Sequence, residues 1–304
     1  MIQLKKIFIL TFLLLSIIIC SSYSQKRTDE TTHLVVCGDN KVLIIKPAQS
    51  PQEENRTLWQ WNTSDMQFQI PSKYQKLMAT LDECKSEDKD SKLLLTSSSG
   101  GALLIDKETK KCLFHADVPM AHSAELLPYN KIAIALSTHP KGNSLEIYDI
   151  NHPEQVLFRD TLYSGHGVVW MPQEKRLYAL GFNILRSYAI KNLPNDSVSL
   201  LLDKEWTLPS NGGHDLNAID VHELLISTHE HVYIFNTQKK SFTPFKPLFN
   251  VKNVKSVNYN KATDELIYTK AETSWWTNQV YIQKKDKQSV ITIDSIKVYK
   301  VRTF

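Results

Sequence analysis

The chain has 304 residues, 42% of them hydrophobic and 22% charged, and a formal net charge of +4. That is enough apolar material for a large buried core, and the scattered cations lack the basic stripe with interleaved aromatics that a nucleic-acid binder needs. Length alone permits one domain or two, because all-β units run well past ~200 residues.

The first element is a targeting segment. Lys5 and Lys6 precede an apolar run from Ile7 to Ile19, followed by Cys20-Ser21-Ser22-Tyr23-Ser24. A basic start, a short apolar stretch and a small-x-small end predict a secretory signal peptide over residues 1–24, too short for a membrane span. Cleavage before Gln25 leaves a mature domain of 25–304 and an exported, periplasmic or extracellular protein. Cys20 opens a second route, a lipid anchor, against which the bulky Ile17-Ile18-Ile19 argues. The mature chain keeps three cysteines, Cys37, Cys84 and Cys112. An odd number cannot form a complete disulfide framework, and none is spaced as a zinc knuckle. They read as buried thiols, with one disulfide open to an exported protein.

From His33 onward short apolar runs alternate with turn residues, the mark of β-strands. Leu34–Cys37, Val42–Ile45 and Leu58–Trp61 come first; Ser72–Met78 is the one helical turn. The strands then fall into a repeat. Counting from Asp82, equivalent positions at His122, His166, His214, Lys255 and Tyr299 follow at steps of 40, 44, 48, 41 and 44 residues. One four-stranded unit per ~40–50 residues is the spacing of a β-propeller. Three strands precede Asp82, and a lone strand, Ile296–Arg302, follows the last complete unit. The expectation is an all-β, six-bladed propeller whose C-terminal strand lies innermost in the N-terminal blade, leaving no free edge.

The start of each innermost strand faces one mouth of the central channel. Asp82, His122, His166, His214, Lys255 and Tyr299 form the expected ring, and Lys85, Glu125, Val169, Asn217, Asn258 and Arg302 follow three residues on. Three histidines in phase suggest a divalent-metal site, or acid–base groups beside cations, or a structural bridge across the channel. His122, His166, His214 and Glu125 are the candidate catalytic residues, and the same three histidines are the candidate metal ligands. Lys85, Lys255, Arg302, Asp215, Trp275 and Trp276 are the candidate ligand contacts: cations for a carboxylate, tryptophans for a sugar ring. Glycines beside His166 and His214 either admit a ligand or make tight turns. The loop Ser97-Ser98-Ser99-Gly100-Gly101 matches a phosphate cradle in composition only.

Ala121-His122-Ser123-Ala124-Glu125-Leu126-Leu127-Pro128, Gly165-His166-Gly167-Val168-Val169-Trp170, Gly212-Gly213-His214-Asp215-Leu216 and Lys270-Ala271-Glu272-Thr273-Ser274-Trp275-Trp276 carry a family likeness. With these motifs the chain resembles, over nearly its whole mature length, exported bacterial β-propellers grouped as a domain of unknown function. The resemblance implies a propeller and export, and no activity. In architecture alone it is also similar to propeller polysaccharide lyases of the oligogalacturonate-lyase kind, which use a histidine-rich, metal-binding mouth. Three functions follow as expectations: an enzyme on an acidic saccharide, a lyase or a two-carboxylate hydrolase; a non-catalytic binder of a saccharide or an exported protein; and a plain scaffold.

Overall fold

The computed structural model describes residues 32–48, 50, 52–66, 69–192 and 198–304. The expected leader, its cleavage site and Cys20 lie outside the described residues. Among the described residues no helix is long and apolar enough to cross a membrane.

Six four-stranded antiparallel sheets are arranged in a ring. Their inner strands are Leu81–Glu87, Ala121–Leu127, Gly167–Met171, Asp215–Asp220, Val254–Asn260 and Val298–Thr303. Each touches the inner strands on either side, and the last returns to the first. The closing blade runs Val298–Thr303, Leu34–Gly38, Lys41–Lys46, Arg56–Asn62, with Val35 opposite Arg302 and Val36 opposite Val301. The C-terminal strand is therefore innermost in the N-terminal blade, as the repeat predicts. The expected helical turn is a short helix, Lys73–Leu77, that buries Tyr74 against the blade beside it.

Blades pack face to face, so their middle strands are buried on both sides. Leu93-Leu94-Leu95 and Ile132-Ala133-Ile134-Ala135-Leu136 consequently read as unbroken apolar runs, without the alternation of a half-solvated strand. The apolar residues gather into six clusters between neighbouring blades. One of them holds Cys37 and Cys84 with Trp61 and Tyr74. Among the described residues Cys37, Cys84 and Cys112 are free thiols, and burial pushes the Cys37 and Cys112 thiols up. Outer strands such as His152–Thr161 are mostly exposed and carry a weaker sequence signal.

One irregularity positions the site. In three inner strands the ladder skips a residue at the mouth. Leu81 pairs with Ser97 and Glu83 with Thr96; Ala121 with Leu136 and Ser123 with Ala135; Val254 with Lys270 and Ser256 with Thr269. Asp82, His122 and Lys255 are the extra residues of these β-bulges. A bulge re-aims its side chain, so two consecutive polar residues turn into the channel where a regular strand would send one into the apolar blade interface.

Candidate functional site

The mouth is built from the starts of the inner strands. The rings of His122 and His166 lie 4.4 Å apart between centroids, and those of His166 and His214 5.3 Å. Tyr299 stands 6.2 Å from His122, edge to face. The chain of rings continues beyond the repeat positions: His229 is 4.7 Å from His214, and Phe182 is 5.9 Å from His229. The three in-phase histidines thus meet at one end of the channel. His229 comes from the loop Thr228-His229-Glu230-His231, and its contact with His214 depends on Gly212, whose φ of 78° tucks the loop where a Cβ would strike the His229 ring.

Backbone carbonyls orient two of the imidazoles. The Met120 carbonyl accepts from His122 Nδ1 at 3.0 Å, and the Ser164 carbonyl from His166 Nδ1 at 2.9 Å. These bonds fix the Nδ1–H tautomer and leave each Nε2 lone pair for the channel. Burial pushes the His166 ring well below the usual histidine range, helped by the neighbouring His122. His214 is lowered likewise by burial and then by Lys255, whose Nζ lies 3.0 Å from His214 Nε2. Burial also lowers Lys255 itself, to about 8, with Lys300 adding to it.

These shifts predict acid lability. As pH falls through the ordinary histidine value near 6.5, the unfolded chain takes up protons at His166 and His214 and the folded chain does not. Unfolding then binds protons, and stability falls with pH. The melting midpoint should begin to drop near pH ~6.5, a fall that Glu87 opposes in part, because burial raises its carboxyl to about 8 and the folded chain takes up that proton first. The double variant H166Q/H214Q should flatten that slope; a wild-type midpoint constant from pH ~7 down to ~5 would contradict burial in the neutral form.

Below the histidines the channel is a compact ion cluster. Arg302 donates from Nε and Nη2 to Glu83 at 2.8 Å each, and from Nη1 and Nη2 to Asp215 at 2.9 and 2.6 Å. Lys300 adds contacts of 3.3 Å to Glu83 and 3.1 Å to Asp215. Burial alone would push both carboxyls up; Arg302 and Lys300 overrule it and hold them below the usual carboxylate range. Lys85 bonds Glu125 at 2.7 Å and the Val168 carbonyl at 2.5 Å, while Trp170 N–H donates to the other Glu125 oxygen.

This arrangement sorts the expected site residues. His122, His166, His214 and Lys255 come together at the mouth. Arg302, Asp215, Lys85 and Glu125 face the same channel, but their charged atoms are consumed by one another. The Arg302 guanidinium already grips two carboxylates, so it has no free fork for a ligand. Asp82 accepts from Ser98 N–H and lies 3.9 Å from His122 Nε2; burial raises its carboxyl. The serine–glycine loop therefore sits at the histidine rim and spends a backbone donor on Asp82. Among the described residues no group of three His, Cys, Asp or Glu side chains is spaced to hold a metal ion. Two of the three imidazoles are turned by backbone carbonyls and the third is engaged by an amine. Trp275 and Trp276 lie on the loop that leaves the strand at Lys270, opposite Val254, and so belong to the same end. Thr277 ties that loop to Val298, Trp275 is 57% exposed, and Lys297 lies 5.6 Å from the Trp276 ring. The described ring contacts of the histidines are to Tyr299 and Phe182, not to these tryptophans.

Glu83 was missed by a reading that took one residue in three. Its signal is the doubled polar step at the bulges, Asp82-Glu83, His122-Ser123 and Lys255-Ser256, where an inner strand of a packed propeller should alternate.

Among curated proteins none matches this chain. A family model, described as a family of unknown function (DUF6528), matches residues 18–304. With its six blades, single closing strand and histidine mouth, the chain belongs to the DUF6528 family of unknown function.

Proposed function

We propose that the histidine mouth binds a carboxylate-bearing saccharide, with Lys255 meeting the carboxylate. One observation carries the reading: Lys255 lies among neutral imidazoles, while the other channel cations are neutralised by their own carboxylates. The Nε2 atoms of His122 and His166 accept hydrogen bonds, which suits hydroxyl donors. Tyr299, Phe182 and the exposed Trp275 offer apolar faces for a sugar ring. Of the catalytic alternatives, the geometry favours elimination over hydrolysis. Glu125 and Asp215 are both committed to cations, whereas His214 Nε2 beside an amine can hold or move a proton.

Calorimetric titration of the mature chain with an oligouronate and with its neutral sugar analogue tests the reading. The uronate should bind more tightly, with an affinity that weakens as salt is added. Lys255→Met should weaken it by about 2 kcal/mol, roughly thirtyfold, the worth of a charged hydrogen bond. Absorbance of an unsaturated product during the titration would mark elimination. Equal, salt-insensitive affinity for both sugars would end the acidic-saccharide reading.

A further inference from the structure

Four cations line the channel, Lys85, Lys255, Lys300 and Arg302. Three are paired with carboxylates at 3.3 Å or less. Lys255 is different. Among the described residues no carboxylate lies within ion-pair distance of it, and its contact is with His214 Nε2 at 3.0 Å. That contact makes Nε2 the acceptor and puts the imidazole proton on Nδ1, which is buried without a partner. The charged or titratable groups around the amine are His214 and His166, Lys300 beneath it, Asp82 across the mouth and His229 on the rim. A primary amine stripped of counter-ions, set on a bulge at an opening and touching a base, has the surroundings of a nucleophile.

We propose that Lys255 captures carbonyl compounds, forming an imine with the aldehyde or keto group of a small ligand at the mouth. This goes beyond the saccharide reading and stands without it. The amine lone pair attacks the carbonyl carbon; a C–N bond forms as the C=O π pair moves to oxygen. His214 Nε2 takes one amine proton and returns it to that oxygen. The carbinolamine then loses its oxygen as water, together with the second amine proton, and C=N forms. One amine and one carbonyl give one imine and one water, with no oxidant or reductant. The lowered Lys255 supports the step, because an amine titrating near 8 offers, at neutral pH, roughly a hundredfold more free base than an ordinary lysine.

Reductive trapping tests it. The full mature chain is treated near neutral pH with glyoxylate and sodium cyanoborohydride, and in parallel with propanal, a neutral aldehyde; adducts are located by peptide mass mapping. Lys255 should be labelled at least about tenfold faster than the average exposed lysine despite its burial, given its larger free-base fraction. Unfolding the chain in urea should erase the preference, and His214→Asn should slow Lys255 severalfold. Preference with propanal as well as glyoxylate supports the proposal even if uronate binding fails; preference with glyoxylate alone would reduce Lys255 to an anion contact and overturn it. Labelling of wild-type lysines in proportion to their exposure would overturn it too, whatever the folding of the variant.

Discussion

Deleting residues 296–304 should abolish cooperative folding. The segment supplies the inner strand of the closing blade, and Val298, Lys300 and Val301 are fully buried within it. Removing Ile296, Val298 and Val301 forfeits about 1.5–3 kcal/mol of apolar burial for each. It also strips Leu34–Gly38 of the ladder that runs from Leu34–Thr303 to Gly38–Val298. Glu83 and Asp215 lose both cations. Together these losses match or exceed the ~5–15 kcal/mol that holds an ordinary domain folded. Circular dichroism on heating should show no sharp transition, and the open edge of the ring should make the protein aggregate. A truncated chain that melts as the full one does would show that the ring is closed by something else.

The second large effect is expected from Arg302→Ala. Glu83 and Asp215 have no solvent exposure, and the guanidinium makes four hydrogen bonds to them. Truncation leaves one ammonium, Lys300, between two buried carboxylates. Breaking a buried pair in this way costs about 3–5 kcal/mol, because the stranded charge can neither reach water nor find a partner. Urea unfolding should show an unfolding free energy lowered by that amount, or no folded protein. The loss should shrink when Glu83→Gln and Asp215→Asn are added to Arg302→Met, since neutral amides do not need the cation. Lys255→Met, which strands no carboxylate, should by contrast leave the urea midpoint nearly unchanged. An Arg302→Ala protein within ~1 kcal/mol of the parent would contradict the cluster's role.

The blade count and closure were legible because propeller blades repeat and because their middle strands, buried on both faces, leave long apolar runs. The lone Ile296–Arg302 strand had nowhere to pair except beside Leu34–Gly38. The convergence of His122, His166 and His214 was legible for the same reason: equal phase in the repeat means equal height in the channel. What the spacing hid was depth and pairing. Arg302 and Lys85 sit three residues beyond the ring and looked like ligand contacts. Their partners Glu83 and Asp215 come from other blades, and only the fold brings charges together that are 219 and 87 residues from Arg302. The bulges at Asp82, His122 and Lys255 break the two-residue alternation of a strand, so the residue directly after each, Glu83 among them, also faces the channel. His229 reached the site through a glycine-dependent loop turn that no periodicity encodes.

Binding of an acidic sugar to the imidazole mouth beside Lys255 should register in nitrogen-15 NMR of the histidine rings. Spectra near neutral pH would be recorded before and after adding an oligouronate. Nδ1–H tautomers are expected for His122, His166 and His214, with neutral rings at His166 and His214, and the Nε2 resonances should move on uronate addition and stay still in Lys255→Met at the same concentration. Imidazolium signatures at His166 or His214 in the free protein, or rings that ignore the uronate, would contradict it.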